Sequence, residues 1–224
     1  ENDGHLRYRM LETVREYAGQ RLADASETEQ ARAAQDGWAA DLAVRWQDDI
    51  WGTRQFDAID VLWEEESNLA DVLRRSMAEG DSELAVLLLA VLGAVWTITG
   101  NHGRVMAFAD PAEALLTEFD PPPELVEPTA SALSLLLTYV RFMRPVGDDD
   151  PLPDRLTRLG EPRQPWSRVV AAMVSEPPRP GGALEAVLGL AEHPDPATRL
   201  MALQWAAVLT ENSGAIAEAS DHVR

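Results

Sequence analysis

The stretch NLADVLRRSMAEGDSELAVLLLAVLGAVWTIT, residues 68–99, decides the fold class. Leu69, Val72, Leu73 and Met77 fall at i, i+3, i+4 and i+8, which places them on one face of a helix. Gly80 follows, and glycine enters the left-handed conformation of a helix C-terminal cap without steric cost. Between Leu84 and Trp96 the apolar residues occupy more than one face, so a helix over 82–99 must be surrounded by others. The apolar window from Leu84 to Ile98 is shorter than the ~20 residues of a membrane span and is preceded by acidic residues. It reads as a core helix.

The same periodicity recurs outward. Trp166, Val169, Val170, Met173 and Val174 form one stripe, and Leu184, Val187, Leu188 and Ala191 another. Leu133 to Phe142 is apolar on several faces and should be the second most buried helix. Ser26 with Glu29 has capping-box spacing, and Asp110-Pro111 and Asp195-Pro196 each place a capping acid before a proline suited to a first turn. Asn68 is expected to cap its helix, while Gly100 and Gly160 sit where helices should end. The expected helices are 10–22, 28–50, 56–66, 68–79, 82–99, 104–118, 124–143, 152–159, 165–175, 183–192, 196–212 and 215–222. No run from residue 20 onward alternates as a strand would.

The chain therefore reads as all-α, with antiparallel helix hairpins stacked as an α-solenoid of tetratricopeptide- or HEAT-like kind. Trp63 and Trp96 are 33 apart, near the tetratricopeptide period of about 34, without the rest of that pattern. The expected organisation is an N-terminal remnant over 1–22, a helical repeat region over 23–145 and a C-terminal helical subdomain over 146–224. Pro145 to Pro153, containing Asp148, Asp149 and Asp150, has the polarity of an exposed loop and marks the second boundary.

Composition narrows the chemistry. The 19 basic residues are all Arg and stand against 38 Asp and Glu, and a net charge of −19 repels phosphate backbones, so direct nucleic-acid binding is not expected. There is no cysteine for a disulfide or thiolate site, and no lysine for a phosphate-cradling loop. His5, His102, His193 and His222 lack helical metal-pair spacing, and neither Glu64-Glu65-Glu66 nor Asp148-Asp149-Asp150 has the frame of a calcium loop. No nucleophile elbow is present. No catalytic, metal or cofactor residue is therefore assigned, and no membrane association is expected. Seven tryptophans serve mainly as core filler; a concave aromatic ligand or partner surface would draw on Trp51, Trp63 and Trp96.

Two segments carry a family resemblance. Arg7-Tyr-Arg-Met-Leu-Glu-Thr-Val-Arg-Glu-Tyr-Ala18 resembles the closing strand and last helix of a winged-helix module, and Glu64-Glu-Glu-Ser-Asn-Leu69 with Arg74 to Asp81 is similar to the start of the helical region behind it. This is the order found in bacterial signal-transducing ATPase regulators of SARP and LuxR type. The resemblance covers roughly residues 6–118 and departs from the family pattern after Gly103, where Arg104-Val-Met-Ala-Phe108 stands in place of a basic, Trp-containing helix. It implies a cytoplasmic, non-enzymatic sensor or protein-interaction segment of a multidomain transcriptional regulator. An ATPase domain upstream in cis and a protein partner or small-molecule effector are implied with it. It further implies that Arg7 to Met10 would pair as a strand in the complete protein. A free-standing helical scaffold and a small helical enzyme are the rival readings.

Overall fold

A computed structural model describes residues 10–143, 150–175, 181–214 and 222. Among them every regular element is helical: α1 Glu12–Asp24, α2 Thr28–Trp46, α3 Gln55–Glu64, α4 Glu66–Glu79, α5 Ser82–Ile98, α6 His102–Ala107, α7 Ala109–Glu118, α8 Val126–Met143, α9 Leu152–Arg158, α10 Pro165–Ser175, α11 Gly182–Gly189 and α12 Pro196–Asn212. Short 3-10 turns stand at Asp49–Trp51 and Pro123–Leu125. The chain is all-α, as its periodicity requires. No helix among the described residues is long and apolar enough to cross a membrane.

Helix α5 is the axis of the molecule. Every residue from Leu84 to Trp96 is buried, because α2, α3, α4, α6, α7 and α8 all pack against it. Leu88, Leu92 and Trp96 meet the large core formed with Leu62, Leu69, Leu73, Leu116, Leu133 and Leu137. Each fully buried leucine contributes about 2 kcal/mol of transfer free energy, so a helix apolar on all sides is stable only when enclosed. Its partner α8 buries Leu133, Leu135, Leu136 and Leu137. Where the two helices meet, a Cβ on Gly93 would stand 2.8 Å from Leu135 Cδ1, so the Leu135 side chain packs into the space the glycine leaves.

Packing follows two rules. Sequence neighbours α4 and α5, α7 and α8, and α11 and α12 lie side by side, and a second series joins α5 to α8, α8 to α10 and α10 to α12. A smaller core of Val169, Val187, Ala202, Trp205 and Ala206 gathers α10, α11 and α12. The large core continues past the boundary expected at 145/146, since Leu152, Leu156 and Val170 belong to it. The loop around that boundary lies mostly outside the described residues.

Several element boundaries differ from expectation, each for a local reason. Ser26 does not form a capping box: it takes φ 60° and closes α1, with its N–H on Ala23 O and the Glu27 N–H on Leu22 O, the two bonds of a Schellman closure. Asn68 is not a cap, because α4 already begins at Glu66; its amide instead donates to Glu65 Oε2 at 2.8 Å. The single helix expected over 104–118 is two, α6 and α7. Pro111 has no N–H to give Ala107 O and its ring crowds that carbonyl, which ends α6 there and leaves Asp110 inside α7 instead of capping it.

Other signals hold. Gly80, Gly100 and Gly160 all have positive φ, and Asp195 caps α12 by accepting from the N–H groups of Ala197 and Thr198. Of Arg7 to Met10 only Met10 is described, and it belongs to no element. The helix expected over 215–222 lies outside the described residues except for His222.

Candidate binding site

The three tryptophans proposed for a ligand surface do not form one. Trp96 is 0% exposed, stacks on Phe108 at 5.4 Å and donates its indole N–H to Glu66 Oε1 at 3.1 Å, so it is a core residue. This corrects the expectation, and the reason is the enclosure of α5. Trp51 is half-buried and stacks on Trp166 at 5.5 Å, whose ring meets Trp205 edge-on at 5.4 Å. That row of three rings braces the contact between the large and small cores. Only Trp63 opens to solvent, at 46%, and it shares a helix face with Phe56, exposed to 81% two turns earlier. The spacing of Phe56 and Trp63 was the available signal for that face.

The acidic triplets diverge as consecutive helical residues should. Glu66 turns inward to Trp96 and to Arg104 Nε at 3.5 Å, whereas Glu65 stays at the surface with Asn68. Asp148 and Asp149 lie outside the described residues, and Asp150 accepts from Leu152 N at 3.0 Å at the start of α9. Among the described residues no group of three His, Asp or Glu side chains converges as a metal site requires.

A directional chain of hydrogen bonds links α5, α6 and α8. His102 Nδ1 lies 2.6 Å from Tyr139 Oη, Tyr139 donates to Thr97 Oγ1 at 3.2 Å, and Thr97 donates to Gly93 O at 2.7 Å. A carbonyl can only accept, so the Thr97 hydroxyl hydrogen is committed to Gly93, leaving the Thr97 oxygen to accept from Tyr139. With the Tyr139 hydrogen on Thr97, His102 Nδ1 is the donor to Tyr139 Oη; in the other tautomer Tyr139 donates to it instead. Burial pushes the Tyr139 phenol above its ordinary value, partly offset by the Thr97 bond. The chain of bonds braces α5, α6 and α8 against one another.

Among the described residues, concave regions with room for a side chain open at several places on the surface. An apolar pocket of about 190 Å³ lies where α8, α10, α11 and α12 meet, lined by Leu137, Val170, Met173, Val174, Ala183 and Leu209. A groove of about 530 Å³ runs between the end of α4 and α7, past Met77, Leu115, Phe119 and Glu118. The third, about 330 Å³, lies between α2, the first turns of α5 and the 3-10 turn at Pro123–Leu125. Its floor is Ala40, Leu84, Leu87 and Leu125, and its rim carries Asp36, Asp81, Glu83 and Glu124.

The rim carboxylates are not equivalent. Asp36 is held by Arg75, which also bonds Gln35, and Asp81 caps α5 through Leu84 N at 3.2 Å. Glu83 and Glu124 are exposed and have no partner among the described residues. Gly37, in the middle of α2, borders the groove, and a Cβ built there would meet no atom within 4 Å. No family model, curated protein or solved structure matches the chain.

Proposed function

We propose that this chain is the non-catalytic sensor and protein-interaction segment of a multidomain, cytoplasmic bacterial transcriptional regulator, coupling a partner or effector to an ATPase module upstream in the same polypeptide. The observation that carries the reading is the face of α1. Leu11, Val14 and Tyr17 are exposed to 73, 47 and 59%, in the very segment that resembles the last helix of a winged-helix module. An apolar helix face of this kind is stable in water chiefly when a neighbour covers it. In the proposed arrangement the winged helix does so.

The packing supports the finer fold reading. Hairpin pairs beside a series that joins alternate helices, α5 to α8 to α10 to α12 with α6 and α7 counted as one bent segment, are how an α-solenoid builds its inner row. Such an array changes curvature when a ligand prefers one form, and any effect on an attached ATPase is then reciprocal. The decisive comparison is ATP turnover and nucleotide exchange in the longer natural chain with and without residues 23–224. A raised rate, or loss of dependence on an added factor, is the expected result. An unchanged rate overturns the regulatory reading.

A further inference from the structure

We infer that the groove between α2 and the first turns of α5 is a docking site for an arginine-bearing segment of a partner protein. This inference rests on the interaction role proposed above and assigns it a place and a chemistry.

The floor is apolar and narrow. Leu84, Leu87 and Leu125 are buried to within 9% exposure, so they offer a slot for a side-chain stem and too little area for a whole apolar helix face. Around that slot the charge has one sign. Asp81, Glu83 and Glu124 supply three carboxylates, none of the lining residues is cationic, and the Arg75 guanidinium at the Asp36 side is already taken by that carboxylate. The positive end of the α5 dipole amounts to about half a charge, so it offsets only a small part of the three. Long cationic side chains are built for such a place, because the methylene stem packs on apolar surface while the head stays among polar groups. Between the two candidates, arginine presents a planar fork that can bridge two carboxylates on opposite rims, whereas lysine is a compact point charge.

Gly37 is the second, independent observation. A glycine in a helix interior lowers helix stability relative to alanine, and here no packing requires it, since the space a Cβ would occupy is open. What the missing side chain provides is access: the backbone of an incoming segment can approach α2 beside the slot. The partner is therefore a chain segment whose backbone passes Gly37 and whose arginine enters between Glu83 and Glu124.

The test uses this chain and a designed alanine-based helix of about a dozen residues carrying one Leu-Arg-Leu track, with a twin in which citrulline replaces the arginine. Backbone amide shifts of Gly37, Leu84, Leu87 and Leu125 are followed at about 0.3 M salt, where diffuse attraction is screened within a few ångströms. The arginine peptide should shift these four and the citrulline twin should bind at least about tenfold more weakly. Glu83→Gln with Glu124→Gln should weaken binding about tenfold, whereas Glu192→Gln with Glu211→Gln, which changes the net charge equally from −19 to −17, should leave it within about twofold. Gly37→Leu should block binding while raising thermal stability. Absence of shifts, equal binding of the twin, equal loss in both charge pairs, or full binding by Gly37→Leu overturns the inference. Because this readout needs no ATPase, it separates from the regulatory reading: groove binding without an effect on turnover sinks only the latter, and the reverse sinks only the groove.

Discussion

Trp96 and Glu66 are joined by a hydrogen bond of 3.1 Å between the last turn of α5 and the first residue of α4. Glu66 is only 8% exposed, and its other neighbours are Arg104 Nε at 3.5 Å and the Ser67 hydroxyl at 3.4 Å. The indole thus fills the core and also satisfies a carboxylate that burial would otherwise penalise. Trp96→Phe should cost about 3 kcal/mol in urea unfolding, the sum of lost volume and an orphaned acceptor. Glu66→Gln, which keeps an acceptor and loses only the attraction to a half-exposed arginine, should cost under about 1 kcal/mol. Equal losses in the two variants would show that the hydrogen bond is immaterial.

The start of α10 is capped from another helix. Glu127, in the first turn of α8, accepts from Arg163 N at 3.0 Å and from Gln164 N at 2.7 Å, N–H groups that precede α10 and have no partner within it. Glu127→Ala should therefore destabilise the fold by about 1–3 kcal/mol and speed amide exchange in the first turn of α10. Glu127→Gln should fall between wild type and the alanine variant. Unchanged exchange in Glu127→Ala would refute the capping role.

The cap of α12 makes stability pH-dependent. The Thr198 hydroxyl, donating at 2.6 Å, holds the Asp195 carboxyl below the usual carboxylate range; burial opposes this, and the N–H groups of Thr198 and Ala197 and the charge of Arg168 add to it. A depressed folded pKa stabilises above the unfolded value and loses that contribution as pH falls through the folded one. Asp195→Ala should cost about 1 kcal/mol at neutral pH, and the gap from wild type should close as pH drops below about 4. A gap that stays constant through acid would reject the linkage.

Gly93 faces Leu135 with no space for a methyl group. Alanine there gains about 1 kcal/mol of helix propensity but forces Leu135 from its place, a crowding cost of about 1–3 kcal/mol in a packed core. Gly93→Ala should therefore be destabilising by up to about 2 kcal/mol, and its combination with Leu135→Ala should lose less than the sum of the two single changes. Strict additivity in denaturant melts would mean the two positions do not meet.

Helix existence is readable because period and enclosure are written in composition: the all-round apolar run from Leu84 needs partners on every side, and six other helices provide them. Asp195-Pro196 and Gly80 worked as punctuation because their effect is confined to one turn. The errors arose where one residue could serve two elements. Ser26 could cap α2 or close α1, and the free carbonyls of α1 claimed it. The sequence alone leaves Trp96 open to a surface role, because burial of its helix is decided by residues far away in sequence. The groove beside Gly37 was invisible for the same reason, since it joins residues from three separate parts of the chain.

The contact of Trp51 with Trp166, and of Trp166 with Trp205, ties the two cores, and Met173 packs against both as well. Heat absorbed on melting one core must then be spent partly on the other, and Trp166→Ala should turn one calorimetric peak into two. Among the described residues this row of rings carries direct side-chain contact from α12 toward the helices around α5, so a strain applied at one core is expected to be felt at the other.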